Sequence, residues 1–421
     1  MNEERTKSFK RQIINLIIMS LEKPTNAIVG KSIAILLVGF LIILVHYSVR
    51  YGYGILLPEM MPSLGISKLE AGIIYTSYFV GYTVFSLFLG IMVDNIDARK
   101  IVTLFLLALG AGTFSMSLSN TLMGASLSFM LAGIGCAACW VPVVVVVQRW
   151  FKKRAFAVAI VNVGAPIGFA ATGIFLPILV KIGSWTLGWR MFSVASFVLA
   201  PLAWLFFKAY PEGYVRSQSK NVGKNFWRES VIILKNIKLW LVGFSYMLVG
   251  FYIMIPFTFL STYGSQEIGL RYEHASLLVS MIAVGAIPGT LVLASFSEFI
   301  GRLKTMFLCG GISILGLLGV VLAQNFPDLK FAVLAVSAAV YGAGYGAVWP
   351  LYTVLTSDLF SMEHAGTALG LMTIFLGLGC MLSPPLAGWM ADTTGSLKSS
   401  FLLAVSTTAL SLLFLLPLRK R

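Results

Sequence analysis

The sequence predicts an all-α membrane protein, with twelve transmembrane helices arranged as two pseudo-symmetric six-helix bundles. Three observations lead there. The 421 residues are 58% hydrophobic and only 11% charged, with a mean hydropathy of +0.89, whereas soluble domains carry about 25% charged residues. Apolar runs long enough for the roughly 20-residue crossing of a bilayer core recur along the chain. The basic residues alternate in density from one connection to the next.

In order, the runs fall at about 32–57, 71–93, 101–119, 124–148, 155–180 and 190–208 in the first half. In the second half they fall at 238–262, 276–297, 305–324, 331–356, 365–390 and 399–418. Gly and Pro within them are compatible with helices in a bilayer, where neighbouring helices satisfy the freed backbone groups. Residues 1–30 form an N-terminal segment. Its short apolar stretch Ile13–Leu21, followed by Lys23 and Pro24, reads as an interfacial helix rather than a signal peptide. The polar stretch 209–237 is a central loop between a bundle at 31–208 and one at 238–418, with a tail at 419–421.

The net charge of +15 invites a nucleic-acid partner, but its distribution argues against one. With the N-terminus placed in the cytoplasm, 24 Lys and Arg fall in cytoplasmic segments and six outside, leaving Arg50 within a span. That is a positive-inside bias. It predicts an even number of spans, both termini cytoplasmic, and anionic membrane lipid as an incidental partner. Four cysteines lie in predicted spans, Cys136 and Cys139 among small residues in GIGCAAC. Close helix approach explains that pair better than redox or metal chemistry, so neither metal nor cofactor is expected.

The halves repeat. Gly90-Ile-Met-Val-Asp94 has a counterpart 204 residues on in Ala294-Ser-Phe-Ser-Glu298. Gly133, Gly135 and Trp140 match Gly342, Gly344 and Trp349, each 209 residues on, with Pro142 and Pro350 after the tryptophans. Duplicated halves are what an alternating-access carrier requires, since the site lies between two bodies that rock.

Gly90-x-x-x-Asp94-x-x-Asp97-Ala98-Arg99-Lys100 resembles the cytoplasmic loop signature of the major facilitator superfamily, and Glu298-Phe-Ile-Gly301-Arg302 is a degenerate second copy. The resemblance covers the chain from about residue 30. It implies that Gly90, Asp94, Arg99, Lys100, Glu298 and Arg302 belong to a gating loop that latches helices at the inner face.

Arg50-Tyr-Gly-Tyr-Gly-Ile-Leu-Leu-Pro58 resembles the first span of the superfamily's organic-anion and organophosphate carriers, where an arginine near mid-membrane holds the anionic group. Tyr82 falls where the organophosphate group carries a site tyrosine, but Ser86 stands where that group has a basic residue, and 239–262 offers no second arginine. Gln148-Arg149-Trp150-Phe151-Lys152-Lys153-Arg154-Ala155, with Asn162, Gly164 and Gly168, is similar to the fourth-to-fifth connection of monocarboxylate and oxalate–formate carriers. Gly366, Gly370 and Pro384-Pro385-Leu-Ala-Gly388 continue that likeness. The competing resemblance is to proton-coupled drug antiporters, through Val163-Gly-Ala-Pro-Ile-Gly168, although Phe129 stands where their fourth-span arginine is expected.

Arg50 is the residue on which the reading turns. A guanidinium stays protonated when buried, and an ionisable group inside a span is a functional candidate with a partner to be named. It lies about 19 residues into its run, roughly 28 Å along the helix, so snorkelling to water is the alternative. His46 shares its face at i, i+4, either as a proton carrier near neutral pH or as a helix-to-helix hydrogen-bonding group. Tyr47, Tyr78 and Tyr82 in the first half, with Tyr246 and Trp349 in the second, complete the candidate lining; Tyr75, Tyr252 and Tyr345 could line it as well, although tyrosines are also routine at membrane interfaces. Trp140 and Asn162 join them, though packing or a hydrogen bond between helices would also explain either. One cation suits one carboxylate through two parallel hydrogen bonds.

The expected function is therefore secondary transport of a small organic anion, a monocarboxylate first, by proton symport or anion exchange. The expected place is the plasma membrane and the expected working unit a monomer. A drug/efflux antiporter is the alternative within the superfamily. A membrane-embedded enzyme or sensor is the distant one, since the spans hold no paired acids, no Ser/His arrangement and no metal-ligand cluster.

Overall fold

The computed structural model describes residues 26–151, 153–208, 233–360 and 365–420. The interfacial helix expected near Ile13–Leu21 and most of the central loop lie outside that range. The first half contains α1 (Asn26–Leu64), α2 (Lys68–Asn95), α3 (Ala98–Leu118), α4 (Leu122–Ala137), α5 (Val141–Trp150), α6 (Arg154–Asn162), α7 (Gly164–Ile182) and α8 (Trp185–Phe206). The second half contains α9 (Ile237–Thr262), α10 (Tyr272–Ile300), α11 (Arg302–Leu322), α12 (Lys330–Gly346), α13 (Val348–Leu359), α14 (Ala365–Thr394) and α15 (Lys398–Leu415).

Three pairs of these helices are single spans with a break. α4 and α5 part at Ala138–Trp140, α6 and α7 at Val163, and α12 and α13 at Ala347. The first and last breaks fall at the repeated tryptophans. There Pro142 enters the first turn of α5, where its missing N–H costs nothing. Counted by span, eleven helical segments are long and apolar enough to cross a membrane. With α2, which carries no charge from Ala71 to Val93, the total among the described residues is the expected twelve.

Short polar residues cap the start of five helices. Ser67 and Glu70 form a reciprocal capping box at α2, while Asp97, Thr121, Ser184 and Asn236 cap α3, α4, α8 and α9. Each satisfies an amide that would otherwise be left open at a helix start. Gly301, at φ 92°, ends α10 and begins α11 in a backbone conformation that a side chain would oppose.

α1 is longer than its apolar run, continuing through Pro58 and Pro62 to Leu64. The helices alternate in direction, so Asp97–Lys100, Arg149–Arg154 and Arg302–Lys304 share one end, called here the basic face. The halves meet through α2 against α14, α7 against α10, and α1 against α9.

Their contacts gather towards the opposite face. The Asp392 carboxylate accepts from the backbone amides of Lys68 (3.2 Å) and Leu69 (2.8 Å). Lys68 Nζ lies 3.7 Å from Glu267, which also accepts from Leu397 N at 2.7 Å. Tyr272 donates to Ile55 O at 2.9 Å, Thr76 to Met381 O at 2.5 Å, and Ser280 to Ala170 O at 2.6 Å. A Cβ on Gly54 would collide with Phe257 O, and one on Gly388 with Lys68 O, so these helices touch backbone to backbone.

Candidate functional site

Arg50 is 5% exposed, and His46 beneath it is fully buried. The guanidinium carbon stands 4.8 Å from the ring centre of Phe79, 5.5 Å from Tyr51 and 5.8 Å from Tyr82. Arg50 therefore does not snorkel to the surface: it lies inside a cage of rings. Tyr75 donates to the Arg50 carbonyl at 2.7 Å, fixing α1 against α2 at that level. Among the titratable groups that face the cation are Tyr51, Tyr78 and Tyr82 from the first half and Cys380 from the second. Among the described residues no carboxylate lies within ion-pair distance of it, and its Nε–H has no hydrogen-bond partner.

Energetics make this arrangement notable. Removing an ion from water costs several kcal/mol even after relaxation. Three ring contacts at about 0.5–2 kcal/mol each return only part of that. A carboxylate gripped through charge-assisted hydrogen bonds would supply the remainder.

His46 packs edge-on against Tyr47 at 4.7 Å and parallel to Tyr82 at 5.9 Å. Neither of its ring nitrogens has a hydrogen-bond partner. Tyr47 and Tyr82 are half-buried, and Tyr78 stacks on Tyr82 with centres 6.2 Å apart. Five of the expected lining residues, Arg50, His46, Tyr47, Tyr78 and Tyr82, thus form one cluster on α1 and α2.

The second half joins that cluster through Tyr345. Its hydroxyl is 3.3 Å from that of Tyr51 and accepts from Trp349 Nε1 at 3.5 Å. Tyr246 lies edge-on to Trp349 at 6.1 Å. Trp140 and Asn162 stand apart: Trp140, 38% exposed, donates its indole N–H to Asn162 Oδ1 at 3.2 Å. The amide in the fifth span therefore has its partner on a neighbouring helix.

Sequence reasoning gave little weight to Tyr345 and overlooked Phe79. Both carried a signal. Phe79 shares a helical face with Tyr75 and Tyr82, and Tyr345 precedes Trp349 by one turn. The repeat places Cys136 where the second half has Tyr345.

The gating residues divide between the two copies. The surroundings of Gly90 and the side chain of Asp94 lie outside what the structure describes. Asp97 holds Arg99 at 2.7 Å and caps its amide at 3.0 Å, and Arg99 also lies over Trp204 of α8 at 5.9 Å. Burial alone would raise the Asp97 carboxyl, but the hydrogen bonds from Arg99 outweigh it and hold the group below its ordinary value. Lys100 and Glu298 are exposed. Arg302 donates to Ser297 Oγ at 2.6 Å and lies 3.8 Å from Asp358 of α13.

Twelve spans in two packed groups, with polar groups held between them at membrane depth, define a multi-pass membrane transporter. The chain belongs to the Major Facilitator Superfamily, whose family model matches residues 39–329 and 265–421. It is 22% identical over 385 residues to a hexuronate transporter of Bacillus subtilis, covering 87% of this chain and 89% of that one. It is 24% identical to monocarboxylate transporter 12 of Rattus norvegicus, covering 69% and 65%. It is 22% identical to a probable sulfoacetate transporter of Cupriavidus necator, covering 89% and 91%. Among solved structures, an inward-facing bacterial homologue of the human lysosomal transporter Spinster matches with a TM-score of 0.72 at 16% identity, covering 91% of this chain and 95% of that one. The nucleoside transporter NupG matches at 0.74 and 16%, covering 93% and 99%. These likenesses are of fold.

Proposed function

We propose that this chain carries a small organic monoanion, a monocarboxylate first, across the cell membrane by alternating access. Arg50 is the anchor, and one observation carries the reading: a permanent cation at membrane depth, caged by rings and without an acidic partner among the described residues. The relatives that carry hexuronate, monocarboxylate and sulfoacetate in their names support an acidic solute. A single fork suits a single carboxylate, whereas a dianion would call for more positive charge.

In this reading the bundles at 31–208 and 238–418 rock about the site, with 209–237 as their cytoplasmic connection and a monomer as the working unit. Both termini lie at the cytoplasmic, basic face, against anionic lipid. An anion that crosses together with a proton arrives neutral, which lets the arginine-lined site reset. His46, with both nitrogens free to take a partner, carries that proton, or the solute itself does; exchange for a second anion achieves the same balance.

Proteoliposomes test this. Wild type and Arg50→Ala are compared for uptake of pyruvate, D-glucuronate, sulfoacetate, a phosphate ester and a cationic drug, with and without a pH gradient. Carboxylate uptake that disappears in the variant is the expected result. Transport of the cationic drug alone, unchanged by the substitution, would overturn the reading in favour of an antiporter.

A further inference from the structure

We infer that Tyr345 is the residue through which the second half engages the anion, acting on Tyr51 as a positioning group. The inference rests on the anion reading of Arg50. Its starting point is a count of protons. The indole of Trp349 is only a donor, so it gives its N–H to the Tyr345 oxygen, 3.5 Å away. Between Tyr345 and Tyr51, 3.3 Å apart, one hydroxyl donates to the other. Two phenolic protons thus share one bond, and the second has no acceptor in the relay.

The unpaired proton lies in a neighbourhood already rich in donors. Arg50 faces Tyr51 at 5.5 Å, its Nε–H is unpartnered, and the imidazole of His46 brings a further unpartnered N–H. An ionised carboxylate offers acceptors only. It therefore complements the cluster: Trp349 donates to Tyr345, Tyr345 to Tyr51, and Tyr51 turns its proton to a carboxylate held by Arg50. Trp349 lies beyond the α12/α13 break, so occupancy of a first-half cation is registered at a joint in the second half.

The rings leave room for a clean test. Tyr345 is packed edge-on against Phe257 at 5.5 Å and parallel to Tyr341 at 6.1 Å. Tyr345→Phe keeps those contacts and removes the hydroxyl alone. Initial rates of pyruvate and D-glucuronate uptake are measured for wild type, Tyr51→Phe, Tyr345→Phe, the double variant and Arg50→Lys, beside the thermal midpoint of each purified protein.

Loss of a hydrogen bond to a charged group corresponds to roughly tenfold or more in affinity. Tyr51→Phe should raise KM about tenfold, and Tyr345→Phe by several-fold, with Vmax and thermal midpoint near wild type. Groups acting in series are non-additive, so the double variant should match Tyr51→Phe. Wild-type KM in Tyr345→Phe, with uptake lost in Arg50→Lys, overturns the role of Tyr345 and leaves the anion site standing. Undiminished uptake in Arg50→Lys, or no uptake of either probe by wild type, removes the anion reading and this inference with it.

Discussion

α1 and α9 open the two halves of a duplicated scaffold, yet only α1 carries charge into the membrane. It holds His46 and Arg50, fully or almost fully buried, while α9 has no ionisable residue other than tyrosine between Lys238 and the end of the helix. The halves also share a helix break at each repeated tryptophan, although the fifth span is broken at Val163 and its counterpart α14 is continuous. The repeat therefore supplies the mechanical frame, and the chemistry is laid on one half of it. The other half meets the charge with the Cys380 thiol and, behind Tyr51, with rings and hydroxyls: Tyr345 and Phe257, then Trp349 and Tyr246.

That asymmetry gives the largest expected effect. Arg50→Ala should reduce carboxylate uptake a hundredfold or more, since an anion in a dry site without its cation loses several kcal/mol. Arg50→Lys keeps the charge but not the planar fork, and should recover only a small part. Comparable uptake by all three proteins at matched surface expression would show that the charged half is not the binding half.

The next effect concerns how the halves meet. Gly54 and Gly388 admit backbone contact between them, and a Cβ at either would occupy the place of a carbonyl oxygen. Gly54→Val or Gly388→Val should lower the transport rate more than tenfold by blocking closure at that face. Gly311→Ala, where nothing lies within 4 Å, should be silent. Wild-type rates in both valine variants would mean that the closed face is not part of the cycle.

The fold was legible because each span is an independent physical statement: an apolar length between connections whose basic charge alternates. The matching tryptophans, each followed closely by a proline (Pro142 and Pro350), showed the repeat, but that a helix breaks at each of them needed coordinates. The cluster on α1 and α2 was legible for a similar reason, since His46 and Arg50, or Tyr78 and Tyr82, share a face at i, i+4 whatever the tertiary fold. The pairing of Tyr345 with Tyr51 was not legible, because the two are 294 residues apart and no local period encodes a contact between halves. Nor does sequence show that Trp140 and Asn162 satisfy each other.

Asp392 sharpens the comparison at the face where the halves are joined. It is a second-half carboxylate that accepts two first-turn amides of a first-half helix, α2, beside that helix's own Ser67–Glu70 box, and such capping contacts contribute about 0.5–2 kcal/mol. Asp392→Asn weakens that grip while leaving an acceptor. It should shift the population towards the arrangement open at that face by several-fold, read as faster alkylation of a cysteine introduced at Tyr272. An unchanged alkylation rate would mean that the cap does not control opening.

The smallest effect separates the two copies of the gating turn. In the first half Asp97 spends its charge locally, on Arg99 two residues away; in the second, Arg302 reaches across to Asp358 on α13. Both pairs are partly exposed, so each stabilises by no more than about 1 kcal/mol. The first pair carries a pH dependence that can be read. The Asp97 carboxyl titrates below its ordinary value because hydrogen bonds from Arg99 outweigh its burial. Its contribution is then fully present above the ordinary aspartate range, near pH 4, and is lost as pH falls through the lowered value. Asp97→Asn should therefore melt slightly below wild type at pH 7, with the gap closing as pH drops below about 4. A gap that persists at the lowest pH would show that the asparagine fails as a cap for α3, and that the ion pair with Arg99 contributes nothing.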